Sequence, residues 1–397
     1  MRTLFRVFVL VLLSIQFCCS DTSDKKARRW HFHLEELRIQ SLQQALSEKY
    51  KPQDLAFVNA NLISMKDDQV QPSKTVLVSN GKIIVIKSAD EVIPENFLKI
   101  DCTNRYLMPG IADMHVHNLV SSSQHLLNLA NGITTVRDMD GFPWMLKMRD
   151  QIGNNRLLAP TMYVAGHILN QRAMDMYATV VNTPEEARKV VRNQKAAGYD
   201  FIKVHNTMSF AIYSAILDEA KKLNIDVVGH IPHDITIRQA VEQGQKTFEH
   251  FKAYILDSTL TLTKENYVQA TKNISNWNCP TFYNYRGNLR GDEARKLIRE
   301  SVEMKYVSWI DKKDWMELAN EKPDAVQQNV LPLSIKIFKD LLPIYDKFLA
   351  GTDSGGGYPF MVPGFSLQEE LRIMNNNGLN SYQTLKTATV NAAAAMN

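Results

Sequence analysis

The chain has 397 residues, enough for one large domain with a smaller accessory unit. Its 45% hydrophobic and 22% charged residues are those of an ordinary soluble globular protein. The formal charge of +4 is mild, partly supplied by Arg2 and Arg6, and no long basic stripe is present, which argues against a nucleic-acid binder.

Residues Met1 to Ser20 read as an export signal: Arg2 and Arg6 flank the start of an apolar run from Val7 to Phe17, too short for a membrane span. Cleavage near Ser20 gives an exported, periplasmic or secreted product. The pair Cys18-Cys19 offers a lipid anchor as the alternative, the one route to a membrane that the sequence suggests. After cleavage Cys102 and Cys279 remain, in different structural units, so no disulfide framework is expected. A polar basic stretch, Asp21 to Trp30, leads into a predicted helix over His31 to Tyr50, with Leu34, Leu37, Ile39, Leu42 and Ala45 at helical spacing. His31 and His33 fall at its solvated start. Residues 21–53 thus form an N-terminal basic segment and helix.

From Asp54 to Met108 the pattern changes to short β runs, among them Thr75-Val76-Leu77-Val78 and Lys82-Ile83-Ile84-Val85-Ile86. Asn80-Gly81 is a hairpin signal between those two runs. This region is expected to be part of a small β-sandwich. Pro109-Gly110 then opens an alternation of strands and helices extending over residues 109–397. The strands are predicted at Ile111 to His117, Ile133 to Met139, Met162 to His167, Phe201 to His205, Asp226 to His230, Lys246 to His250, Pro280 to Tyr283 and Phe348 to Asp353. Eight strands with helices between them predict an α/β fold, a closed (β/α)8 TIM barrel. Thr183-Pro184-Glu185-Glu186 starts one of the helices and Gly198 closes it. Between strands seven and eight, Asn284 to Tyr345 is longer than a βα connection needs, and reads as either a lid or a helical decoration of the rim.

Candidate chemistry lies at the C-terminal strand ends, where the βα loops of a barrel converge. His115 and His117 are two apart on strand one and face the same side. Strand four carries Lys203, strand five ends at His230, strand six at His250 and strand eight at Asp353. Each alone has a structural explanation. Six potential metal ligands on five strands at one rim are far harder to explain that way. Arg137, His167, His205, His233 and Tyr283 lie at or just beyond strand ends and are candidates to meet a substrate; His205 shares the face of Lys203, and Arg137 also reads as a barrel brace.

The segments Met108-Pro109-Gly110-Ile111-Ala112-Asp113-Met114-His115-Val116-His117, Gly132-Ile133-Thr134-Thr135-Val136-Arg137-Asp138, Asp200-Phe201-Ile202-Lys203-Val204, Val228-Gly229-His230, Thr247-Phe248-Glu249-His250 and Ala350-Gly351-Thr352-Asp353-Ser354 resemble the amidohydrolase superfamily. The similarity is to its branch of imidazolonepropionases and Xaa-Pro or Xaa-Arg dipeptidases, and it spans Leu55 to the last residue. The resemblance implies that His115, His117 and Asp353 bind a buried divalent metal, and that His230 and His250 bind a second, more exposed one. Lys203 would be carboxylated by CO2 to a bridging carbamate, since an unmodified ammonium repels a cation. Zinc suits these ligands, with manganese, iron or cobalt also compatible. The implied reaction is hydrolysis of a C–N bond in a small amide, such as a dipeptide or cyclic amide, by a hydroxide shared between the metals, with Asp353 as general base and then acid.

Two rivals remain at this point. A one-metal deaminase or deacetylase on the same fold gives Lys203 no purpose, and His230 is followed by Ile231-Pro232-His233-Asp234 rather than an early Glu. A non-catalytic exported binding protein leaves the full ligand set unexplained. Relatives of this kind continue past the final helix with strands that complete the sandwich, so the stop at Asn397 leads us to expect a truncated accessory unit. The oligomeric state is open, a homo-oligomer included.

Overall fold

The computed structural model describes residues 37–88, 91–117, 122–174, 178–256, 263–323, 325–355 and 359–396. The expected signal and its cysteine pair, the basic stretch, and His31 and His33 lie outside them. Residues 37–49 are helical, within the range that the apolar spacing predicts.

Five strands follow: β1 (Leu55–Ile63), β2 (Val70–Ser79), β3 (Lys82–Ser88), β4 (Leu98–Asp101) and β5 (Tyr106–Leu107). They form one mixed sheet in the order β3-β2-β1-β4, with β5 also on β1. The β2–β3 hairpin turns at Asn80 and Gly81, whose φ values of 50° and 71° are the left-handed pair a type I′ turn requires. Its outer strand β3 is an edge, with Ile83, Ile84, Val85 and Ile86 all exposed.

The barrel begins at β6 (Ile111–His117), then β7 (Ile133–Asp138) and β8 (Thr161–Val164). Two short strands on the rim, β9 (Leu169–Asn170) and β10 (Thr179–Val180), precede β11 (Phe201–Val204), β12 (Asp226–Gly229), β13 (Thr247–Glu249) and β14 (Trp277–Cys279). The last is β15 (Ser354–Gly355). Parallel pairing runs β15-β6-β7-β8 and, separately, β11-β12-β13-β14. Two single bridges join these arcs: Ala165 to Phe201, and Asn278 to Phe348. Backbone bonds from Met114 N to Ala350 O and from Thr352 N to His115 O carry the eighth strand between its bridge and β15, closing the ring. Helices lie between the strands, and their apolar faces join Val116, Val136, Val164, Ile202, Val227, Phe248 and Phe348 in one core. The helix Pro184–Ala197 has its expected signals: the Thr183 side chain accepts from Glu186 N, and Gly198 closes it at φ 91°.

Two strand assignments shift. Strand seven is Trp277–Cys279 rather than Pro280 to Tyr283, because Pro280 has no N–H for the ladder and Thr281 turns left-handed at φ 49°. Phe282–Asn288 is instead a 3-10 helix. Strand eight is likewise split, pairing at Phe348 and again at Ser354–Gly355.

The segment between strands seven and eight has two parts. Helices Gly291–Glu300 and Trp309–Ala319 build a separate apolar cluster of Leu297, Ile298, Met304 and Trp315. That cluster takes in Phe360 and Val362 from beyond strand eight, with Leu127 and Phe365 against it. The helix Ala325–Leu341 returns to the barrel and buries Ile337, Phe338 and Leu341 in the main core. No described helix is long and apolar enough to cross a membrane.

Candidate metal centre

Strand periodicity delivers the first two side chains. His115 and His117 project from the same side of β6, one fully buried and the other half-buried, and their Nε2 atoms are 3.2 Å apart. Asp353 joins them from the eighth strand. Its Oδ1 lies 3.1 Å from His115 Nε2 and 2.9 Å from His117 Nε2. Burial alone would raise the Asp353 carboxyl, but the two imidazoles outweigh it and hold the acid well below its ordinary range.

What makes this group a candidate metal site is the set of donor atoms it gathers. His115 Nδ1 is 2.8 Å from Glu249 Oε2 on β13 and donates to it, which leaves Nε2 as the ring nitrogen available to a metal. Asp353 Oδ1 has no hydrogen bond of acceptable geometry among the described residues. Imidazole nitrogens and a carboxylate oxygen gathered within about 3 Å call for a shared proton or a cation among them, and they are a donor set that divalent zinc accepts. The residues fit the group.

His250 and His230 sit beside this trio. The His250 ring centroid is 5.0 Å from that of His115 and 4.8 Å from that of His230, and His250 Nε2 is 3.8 Å from Asp353 Oδ2. Each has its Nδ1 engaged: His250 with Thr281 Oγ1, His230 with Asn206 Oδ1. Lys203, on β11, is completely buried, and its Nζ has no hydrogen-bond partner among the described residues. Burial lowers its pKa to about 8, against the opposing pull of Glu249 and Asp353. An amine so placed is neutral for a substantial fraction of the time near physiological pH, the form that can react with CO2.

The surrounding backbone is built tightly. His250, Thr281 and Asp353 hold φ values of 61°, 49° and 63°, a left-handed conformation uncommon for such residues and one that clusters at functional sites. Gly355, at φ 100°, lies so close to β6 that a Cβ there would meet His117 O at 1.9 Å.

The residues expected to meet substrate separate. Arg137 takes the brace position that the sequence also allows: it is turned into the barrel, where Nε donates to Met114 O at 2.7 Å, Nη1 to Thr247 Oγ1 at 3.2 Å and Nη2 to Glu249 Oε1 at 2.7 Å. It braces the site from within, since a buried guanidinium is retained where carboxylate and carbonyl acceptors converge on it. Tyr283 is also buried, its hydroxyl accepting from Arg286 Nη1 at 2.6 Å, and burial raises its pKa to about 12. His205 stacks 4.2 Å from His230. His167 stands farther out, against Thr179 Oγ1 at 2.9 Å and Phe142, and His233 is exposed.

Sequence reasoning assigned no role to four residues. Glu249 orients His115, and its carboxyl is held low despite burial by Arg137 and His115. Thr281 and Asn206 meet His250 and His230, and Asn284 Nδ2 donates to Asp353 Oδ2. Of these only Glu249 carried a signal, as an acid adjoining a candidate ligand on a core strand.

Solved structures share this architecture over nearly the whole chain. A bottromycin amidohydrolase superposes with a TM-score of 0.72 at 21% identity, covering 90% of this chain and 81% of the other. The chain shares the fold of that amidohydrolase. A putative prolidase from Bifidobacterium longum also superposes, with TM-score 0.68, 20% identity and coverage of 87% and 84%. In sequence, an ochratoxinase of Aspergillus niger is 26% identical over 255 residues, 48% of this chain. That match spans about half the length of the relative, 52%. No family model matches the chain.

Proposed function

We propose that this protein is an exported, metal-dependent amidohydrolase that cleaves the C–N bond of a small amide, a dipeptide or cyclic amide. The observation that carries the reading is the convergence of His115 Nε2, His117 Nε2 and Asp353 Oδ1 within about 3 Å, next to His250 and to a fully buried Lys203. Export rests on the leader Met1 to Ser20. The amide class draws on the bottromycin amidohydrolase and prolidase likeness, the latter pointing to Xaa-Pro dipeptides as the first substrates to try.

His115, His117 and Asp353 would hold one divalent ion and His230 and His250 a second, with Lys203 bridging as a carbamate. That carbamate forms when the neutral Lys203 amine adds to CO2 and releases one proton. When bound, such ions lower the pKa of water and polarise a carbonyl oxygen. The protein's own part is positional and protonic. Glu249, Asn206 and Thr281 lock the three imidazoles with Nε2 inward. Asp353 Oδ2, the oxygen turned away from His115 and His117, takes the proton of the attacking water and delivers it to the departing nitrogen as the C–N bond breaks. A carboxylate and an amine leave.

The test is to incubate zinc-loaded mature chain with a panel of Xaa-Pro dipeptides and cyclic amides and follow release of free amine. Turnover is expected, and Asp353→Asn should abolish it while most of the metal stays bound. A folded, metal-loaded chain that leaves every amide intact but frees ammonia from an amino-substituted ring would move the protein to the deaminase class.

A further inference from the structure

Strand seven contributes none of the proposed ligands, yet the turn that follows it touches two of them. Thr281 Oγ1 meets Nδ1 of His250, and three residues later Asn284 Nδ2 donates to Oδ2 of Asp353. The turn is closed by Asn284 N donating to Thr281 O at 3.1 Å, which fixes the separation of the two contacting side chains. Between them, the N–H groups of Phe282 and Tyr283 donate to Glu370 Oε1 at 3.1 Å and Oε2 at 2.7 Å. Glu370 comes from the helix Phe365–Asn376 beyond strand eight and is completely buried. Its two oxygens take the two free donors at the head of the 3-10 helix, a place that favours a carboxyl acceptor.

We infer that residues 281–284, pinned by Glu370, form a positioning bracket that sets where His250 and Asp353 stand relative to each other. The bracket explains three features together. Thr281 holds a left-handed φ that aims its hydroxyl back at His250. A buried glutamate spends its two oxygens on two backbone N–H groups. Asn284 engages one Asp353 oxygen, so that Oδ1 is left to His115 and His117. Glu370 and Asn284 are positioning residues: Asn284 acts through Asp353, and Glu370 acts through the turn.

This inference rests on the metal-centre reading, and cobalt(II) separates the two. The visible spectrum of a cobalt-loaded chain reports ligand geometry without turnover. Asn284→Leu, close in volume and lacking the donor, should change that spectrum and lower kcat by about 10–100-fold, the range for residues that orient ligands. KM should stay within about threefold, because ground-state binding is not the interaction removed. Glu370→Gln should move the spectrum in the same direction, and the double variant should be no worse than Asn284→Leu, since both act on one bracket. An unchanged spectrum and kcat in Asn284→Leu, or strictly additive losses in the double variant, overturns the bracket. If Glu370→Gln does not fold, Asn284→Leu alone decides. A wild-type chain that takes up no cobalt defeats the metal-centre reading before any variant is compared.

Discussion

Glu249 serves three partners with its two oxygens: Oε1 receives Arg137 Nη2 and the Thr247 hydroxyl, and Oε2 receives His115 Nδ1. Glu249→Gln keeps the volume but replaces one acceptor with a donor and leaves the Arg137 charge buried without a counter-ion. The loss should be about 3–5 kcal/mol of stability by denaturant titration, the range for breaking a buried pair. Metal affinity should fall about 10–100-fold by competition with a chelator. Lys203 makes a separate prediction. Its folded-state pKa of about 8 lies below the ordinary 10.5, and the group is a base, so the neutral amine becomes the majority form only above about pH 8. Apo protein equilibrated with 13C-bicarbonate should therefore show a carbamate resonance that grows from pH 7 to pH 9 and is missing in Lys203→Ala. A pH-independent signal would place the label elsewhere. At this scale His115 and His117 were legible because strand period alone puts them on one face. Arg137 was ambiguous because a charged residue at a strand end reads alike whether it turns into the barrel or out toward a ligand.

Turns and glycines show what the sequence encodes element by element. Gly244 and Gly355 both have positive φ, 86° and 100°, but only Gly355 has neighbours where a Cβ would go. Gly244→Ala should cost about 1 kcal/mol, a helix C-cap penalty measurable as a small drop in Tm. Gly355→Ala should cost more and also weaken metal binding, because the eighth strand must retreat from His117 O. Equal effects of the two changes on stability and metal binding would contradict the close packing of that strand on β6. Helix Pro184–Ala197 and the Asn80-Gly81 hairpin could be read directly, since both depend on residues adjacent in sequence. Strand seven could not. Its apolar run continues through Pro280 into Phe282 and Tyr283, and only the ladder geometry reveals that pairing stops at Cys279.

Across the whole molecule, closure of the ring is what brings Asp353 to His115, through 237 intervening residues that place the eighth strand beside the first. The (β/α)8 alternation was legible because each strand and helix announces itself locally. The second apolar cluster under helices Gly291–Glu300 and Trp309–Ala319 was not, since its partners Phe360 and Val362 lie beyond strand eight. The exposed β3 edge carries four apolar residues in a row, a template for pairing with another chain. Ile84→Lys with Ile86→Lys should reduce light scattering on concentration or warming without altering metal content. The central claim, a two-metal site bridged through Lys203, is tested most directly by counting metal. Mature protein made with zinc and bicarbonate should hold about two ions per chain by elemental analysis, falling sharply in Lys203→Ala. A folded chain with no metal, or with a single ion indifferent to that substitution, would contradict it.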